Sequence, residues 1–152
     1  MALELNWIKL IVYLLPMYVT NASAVLFSGK TPLDFGVKFL DGKPLLGKGK
    51  TFRGTLFSLF AGFLTAGILF YGFPQLTELL SVNYLILAGL LCIGTHAGDL
   101  TASFLKRRLG LASGKEVLLL DQLDFLAGAL ILGSIYYWPS LLEISVMIFL
   151  TL

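Results

Sequence analysis

At 152 residues, with 57% apolar and 13% charged side chains and a mean hydropathy of +0.88, the chain is too hydrophobic for an ordinary soluble domain and reads as a polytopic membrane protein. Eleven basic and nine acidic residues leave a formal charge of +2, too small to imply nucleic-acid binding. One cysteine, Cys92, and one histidine exclude an intrachain disulfide and a zinc cage.

A spanning helix needs about 20 apolar residues, and the chain offers four such runs and a shorter fifth. The first covers about Leu5 to Phe27, with Pro16 as a kink and Asn21 and Ser23 making its last turns polar. The opening MALELN has Glu4 and no base before Lys9, the wrong charge for a secretory signal, so this run is expected to stay as a helix rather than be cleaved near Ala24. The second covers Thr55 to Phe73, with Gly54, Gly62 and Gly67 as small residues that allow another helix to approach. The third starts near Leu79 and runs through Cys92 and Asp99 to about Leu105. The fourth runs from Val117 to Trp138 and closes with Tyr136, Tyr137 and Trp138, an interfacial aromatic group, before Pro139 breaks it. The fifth, Leu141 to Leu152, has 12 residues, about 18 Å of helix against a hydrocarbon core near 30 Å. The expected architecture is all-α: one integral membrane catalytic domain, residues 1–152, with five transmembrane helices and a polar cavity on the cytoplasmic side.

Ten of the eleven bases lie in two connections, Lys30 to Arg53 and Lys106 to Lys115, and the other two connections carry none. By the positive-inside rule both basic loops are cytoplasmic, which places the amino terminus outside and the carboxyl terminus inside a multi-pass protein of the cell membrane. The first basic loop admits two local readings. Thr31, Pro32 and Asp34 suit the start of a short interfacial helix, while Val37 and Phe39 before Asp41 and Gly42 suit a hairpin turn.

The chemistry concentrates between Gly98 and Asp124. A carboxylate inside a transmembrane segment costs several kcal/mol or is neutralised, so an intramembrane aspartate reads as a site. On a helix, Asp99, Ser103, Lys106 and Arg107 fall to one side, and Asp121 and Asp124, three apart, share a face. Two facing helices thus present three carboxylates together, a set of hard oxygen ligands suited to magnesium and the phosphates it bridges. Arg108 lies off this stripe and reads as an anchor. His96, one turn before Asp99, either assists it or is a hydrogen-bonded structural group, and Asn21 either faces the same cavity or bonds across helices. Glu143 reads as interfacial.

The segment GKGKTFRG, residues 47–54, ends like a phosphate loop at Gly49, Lys50 and Thr51, but Pro44 stands where that motif requires glycine. What remains is looser: Gly47 and Gly49 expose backbone amides, and Lys48, Lys50 and Arg53 offer charge to phosphate oxygens. The same bases would also serve only to set topology or touch anionic headgroups.

GKTFRG at 49–54, GDLTASFLKRR at 98–108 and LDQLDF at 120–125, in that order, resemble the CDP-archaeol synthase family, the archaeal relatives of phosphatidate cytidylyltransferases. The signature of the bacterial and eukaryotic enzymes has a His-Gly-Gly step before its final acidic pair. Here Val117 to Leu120 occupy that approach, which favours the archaeal branch. The resemblance implies magnesium-dependent transfer of CMP from CTP to an unsaturated archaeal ether-lipid phosphate, with CTP, the lipid and the bilayer as partners. Asp99, Asp121 and Asp124 are then the expected catalytic metal ligands, with Lys106 a fourth catalytic group. Asn21, Lys50, Thr51, Arg53, Gly54, Ser103 and Arg107 are the expected nucleotide and phosphate contacts. A small ion transporter or channel lined by the same carboxylates is the competing class, but it calls for carboxylates spread through the membrane rather than gathered at one depth.

Overall fold

The computed structural model describes residues 5–115 and 117–152. Its elements are α1 (Trp7–Leu26), α2 (Phe52–Gly72), the single turn α3 (Pro74–Thr77) continued by a 3-10 turn over Glu78–Leu80, α4 (Tyr84–Arg108), α5 (Leu118–Gly133) and α6 (Leu141–Thr151). Among the described residues there is no strand, only two isolated antiparallel bridges, Pro32 with Thr51 and Lys38 with Pro44. Of the five expected spans, α1, α2 and α4 are long and apolar enough to cross a membrane. The other two are shorter, with 16 residues in α5 and 11 in α6.

The boundaries shift for identifiable reasons. Asn6 caps α1 by accepting the Lys9 amide at 3.0 Å. The third apolar run does not begin a helix at Leu79, because Ser81 takes a left-handed conformation (φ 54°) and Asn83 then caps α4 at the Ile86 amide. The fourth run ends at Gly133, so Tyr136, Tyr137 and Trp138 lie beyond the helix in the turn before Pro139. Ser140 and Glu143 form a reciprocal capping box that starts α6. In the first basic loop the hairpin reading holds: the Phe39 amide donates to the Lys43 carbonyl (2.8 Å) and the Leu45 amide to the Val37 carbonyl (3.0 Å), around Gly42 at φ 74°.

The helices pack around α1. Tyr13 and Met17 of α1, Leu87 and Leu91 of α4, Leu126 and Ala129 of α5 and Met147 of α6 are each no more than 1% exposed. Pro16 has no amide to give the Val12 carbonyl, and the buried Tyr84 hydroxyl from the start of α4 donates to that carbonyl instead, at 2.9 Å. The α2 residues buried inward, Gly54, Ser58, Gly62, Ala66 and Leu69, form a stripe of mostly small side chains. A side chain at Gly62 would collide with Thr20 and Cys92, whereas Gly67 faces open space and mediates no helix contact. The outer face of α2, including Leu56, Phe60, Leu64 and Ile68, is apolar and exposed, the distribution expected of a helix surrounded by lipid.

Two contacts fix α6 against α1. Lys9 meets Glu143 at 2.9 Å, and the Tyr18 hydroxyl meets that of Thr151 at 2.6 Å. Both pairs advance in the same sense along their chains, so α1 and α6 run parallel. The α4 and α5 helices run antiparallel in backbone contact: Gly94 touches Gly128, and Gly98 touches both Gly128 and the Asp124 carbonyl. A Cβ at any of these three glycines would force the helices apart.

Candidate active site

The site forms where the first basic loop meets the basic end of α4. Thr51 caps α2, its hydroxyl accepting the amides of Gly54 (3.1 Å) and Gly29 (2.9 Å), which ties the end of the loop to its beginning. Gly54 is buried against the Ala24 carbonyl, so the absence of a side chain there lets α1 and α2 close on each other. With the cap fixed, Lys50 reaches across and donates to Asp99 of α4, forming an ion pair.

Two polar cavities flank this pair, and Gly49 and Lys50 line both. The first, about 260 Å³, is lined by Asn21, Ser28, Thr51, Thr55, His96 and Asp99 together with Lys50. His96 faces Ser58 at 3.5 Å through Nδ1, and its buried Nε2 has no partner among the described residues. The second, about 200 Å³, is lined by Ser103, Lys106, Arg107, Ser113, Lys115 and Asp121 as well as Lys50. Here Lys106 pairs with Asp121, whose other oxygen accepts the Val117 amide at 3.0 Å and so helps start α5.

Arg107 is the most telling group in the second cavity. It is only 5% exposed, it has no carboxylate partner within 4 Å among the described residues, and its buried Nε is without a hydrogen bond. A guanidinium buried without an anion is costly, and the cavity it borders has room for one. The expected stripe is therefore divided: Asp99 faces the first cavity, while Ser103, Lys106 and Arg107 face the second.

Asp124 is placed differently again. It lines neither polar cavity but an apolar groove of about 320 Å³ between α4 and α5, with Gly98, Thr101, Leu105, Ala127 and Ile131. The Gly98–Asp124 backbone contact nevertheless sets Asp99 and Asp124 on adjoining turns of the two helices. Arg53 also departs from the expected set. It is exposed, its aliphatic part covers Gly29, and its guanidinium lies 5.6 Å from the Phe57 ring, outside both polar cavities. Arg108 is an anchor for the loop: it pairs with Asp41 at 3.0 Å, donates to the Pro44 carbonyl and lies against the rings of Phe39 and Phe104.

Among the described residues no three His, Cys, Asp or Glu side chains are gathered closely enough to hold a metal ion. The donor chemistry nonetheless suits a hard cation. Asp99 and Asp121 are hard oxygen donors of the kind such a cation takes, each paired here with a lysine ammonium. Sequence reasoning passed over Ser113 and Lys115 as cavity residues and the glycine contact between α4 and α5. The four-residue spacing of Gly94 and Gly98 was the available signal for that contact.

The family profile described as "CarS-like: CDP-archaeol synthase" matches residues 3–152. The chain is 47% identical over 129 residues to the CDP-archaeol synthase of Methanocaldococcus jannaschii, an alignment covering 81% of this chain and 73% of that one. It is 45% identical over 139 residues to the CDP-archaeol synthase of Archaeoglobus fulgidus, covering 86% and 77% respectively. A solved structure of an intramembrane enzyme for archaeal membrane lipid biosynthesis superposes with a TM-score of 0.82 at 34% identity, covering 96% of this chain and 89% of that one.

Proposed function

This chain belongs to the CDP-archaeol synthase family, and from that premise we propose that it is a CTP-dependent lipid cytidylyltransferase that transfers CMP from CTP to an unsaturated archaeal ether-lipid phosphate. The products are CDP-archaeol and pyrophosphate. The observation that carries this reading is the buried Arg107, without a carboxylate partner among the described residues, beside Lys50 and Lys106 in a polar cavity of about 200 Å³.

In this reading the triphosphate lies along the wall shared by the two cavities. Lys50 stands at the junction, beside the alpha phosphate, and Arg107, Lys106 and Ser103 take the beta and gamma phosphates in the second cavity. Asn21, Thr51 and the rest of the first cavity receive the nucleoside end. The lipid enters sideways along the apolar groove beside Asp124 with its phosphate leading. One of its oxygens forms a bond to the alpha phosphorus as the bond from that phosphorus to the beta-phosphate oxygen breaks in line, and pyrophosphate leaves. The lipid phosphate is already an anion, so no side chain has to remove a proton.

Asp99, Asp121 and Asp124, which the unliganded structure does not bring into one cluster, are the residues that would hold magnesium once drawn together around the triphosphate, where the ion would supply Lewis-acid stabilisation of charge. Nucleotide entry then exchanges partners, with Lys50 and Lys106 moving from carboxylate to phosphate oxygens and leaving the carboxylates free. Arg53, on the outer surface, acts on approaching anionic headgroups or nucleotide rather than on the reacting atoms. The basic end is cytoplasmic by the positive-inside rule, where CTP is available.

The test is pyrophosphate release by purified protein in detergent, given CTP, ether-lipid phosphate and magnesium, with lipid and metal omitted in turn. Release that requires all three supports the reading, and Asp121→Ala or Asp124→Ala should then abolish turnover in folded protein. No release from folded protein across several lipid phosphates overturns it.

A further inference from the structure

Asp34 takes no part in the chemistry above, yet it is the most heavily hydrogen-bonded carboxylate in the basic loop. It is 6% exposed. Its Oδ1 accepts the Gly36 amide at 2.9 Å, and its Oδ2 accepts the amides of Leu46 (2.8 Å) and Gly47 (3.1 Å), twelve and thirteen residues further on. Burial pushes the carboxyl up, but the amides of Leu46, Gly36 and Gly47 outweigh it and hold Asp34 below the ordinary carboxylate range.

The bonds converge on the Gly47–Lys50 end of the first basic loop. Gly47, at φ 104°, lies against Ser113 and the Arg107 Nη1, and a side chain there would press on both. The Gly47 carbonyl accepts the Lys50 amide at 3.2 Å, and the Lys50 carbonyl accepts the amide of Leu33, the neighbour of Asp34, at 2.7 Å. Lys50 is thus held through both of its backbone groups by residues that Asp34 orders. Only a carboxylate offers acceptor sites for three amides converging from two separate chain segments. An asparagine would turn an NH2 group toward one of them.

We propose that Asp34 is the positioning residue of the nucleotide site, fixing the Gly47–Lys50 segment as the wall between the two cavities and aiming Lys50 at the reacting phosphate. This rests on the reading that those cavities receive CTP. Asp34 touches no substrate and acts through Gly47 and Lys50.

The experiment compares wild type, Asp34→Asn and Asp34→Ala, all as full chain in detergent, by steady-state kinetics and by amide hydrogen exchange of the peptide covering residues 46–51. The expected result is at least a tenfold rise in KM for CTP in Asp34→Ala, with Asp34→Asn intermediate, KM for the lipid within twofold of wild type, and faster exchange in residues 46–51, where Asp34 accepts the Leu46 and Gly47 amides. An unchanged KM for CTP overturns the proposal. So does a fall in kcat alone that tracks the fraction of folded protein, because that is the signature of a merely structural role. Should Asp34→Ala fail to fold, Asp34→Asn carries the same comparison. A wild-type protein that turns over no CTP overturns the proposed function instead, and the exchange arm still decides whether Asp34 orders the loop.

Discussion

Arg107 illustrates how a side chain that is costly to the fold can mark a candidate site. Substituting Arg107 by leucine removes a buried cation without a carboxylate partner among the described residues, so the apo protein should melt at a higher temperature. The same change should lower kcat/KM for CTP by roughly 10- to 150-fold, because a hydrogen bond to a charged group is worth about 1.5–3 kcal/mol. Arg107→Lys keeps the charge but not the planar fork and should recover only part of the loss. Melting curves and CTP kinetics on the same preparations check both halves, and a parallel fall in stability and activity would contradict the anion-site reading. That Asp99 and Asp121 would stand beside bases was legible in the sequence because a carboxylate in an apolar run is expensive, while Lys50 entered as a base of the GKGKTFRG loop, and the structure pairs Lys50 with Asp99 and Lys106 with Asp121. The direction of the Arg53 side chain was not legible, since its neighbourhood in GKTFRG says nothing about it. Once Thr51 caps α2, the helix turns Arg53 out over Phe57 while Lys50, before the cap, points inward. Asp34 was seen only as part of a possible helix start, because its partners at Leu46 and Gly47 are remote in sequence.

Between elements, the α4–α5 seam determines where the carboxylates stand. Gly98 packs on the Asp124 carbonyl, so Gly98→Ala must separate the two helices at the level of Asp99 and Asp124. Overpacking of this kind costs about 1–3 kcal/mol, and each kcal/mol lowers the melting temperature of a chain this size by roughly 2–4 °C. Activity should fall further than stability, because the site sits on the displaced seam. Gly67→Ala is the control: its Cβ meets open space, and removing a helix-interior glycine should leave stability unchanged or raise it by about 0.5–1 kcal/mol. Thermal melts and pyrophosphate release of the two variants make the comparison. Hydropathy located a helix in each apolar run, three of them long enough to span, yet not their ends. Ser81 in a left-handed turn delays α4, and the turn before Pro139 leaves the aromatic group outside α5, features that depend on local backbone geometry more than on average hydrophobicity.

For the molecule as a whole, parallel α1 and α6 and antiparallel α4 and α5 tie the geometry to a membrane orientation. The Lys9–Glu143 pair and the Tyr18–Thr151 contact place the start of α1 at the end opposite the basic loops, and the last turn of α6 at the basic end. If the positive-inside rule sets the sidedness, a cysteine at Leu40, which is 96% exposed at the hairpin tip, faces the cytoplasm. A cysteine at Ser140, in the turn between α5 and α6, faces outside. Cys92 is fully buried and should stay silent toward a membrane-impermeant maleimide, so no background substitution is needed. Leu40→Cys should label only in inside-out vesicles and Ser140→Cys only in right-side-out ones. Labelling of both from one side would reject the opposite placement of these two loops and with it the parallel pairing of α1 and α6 across the membrane. Reversal of both would keep the fold and place the two cavities proposed for the nucleotide on the outer face, away from CTP. The orientation therefore bears directly on the enzymatic reading: the same charges that anchor the basic end must also face the compartment that supplies the nucleotide.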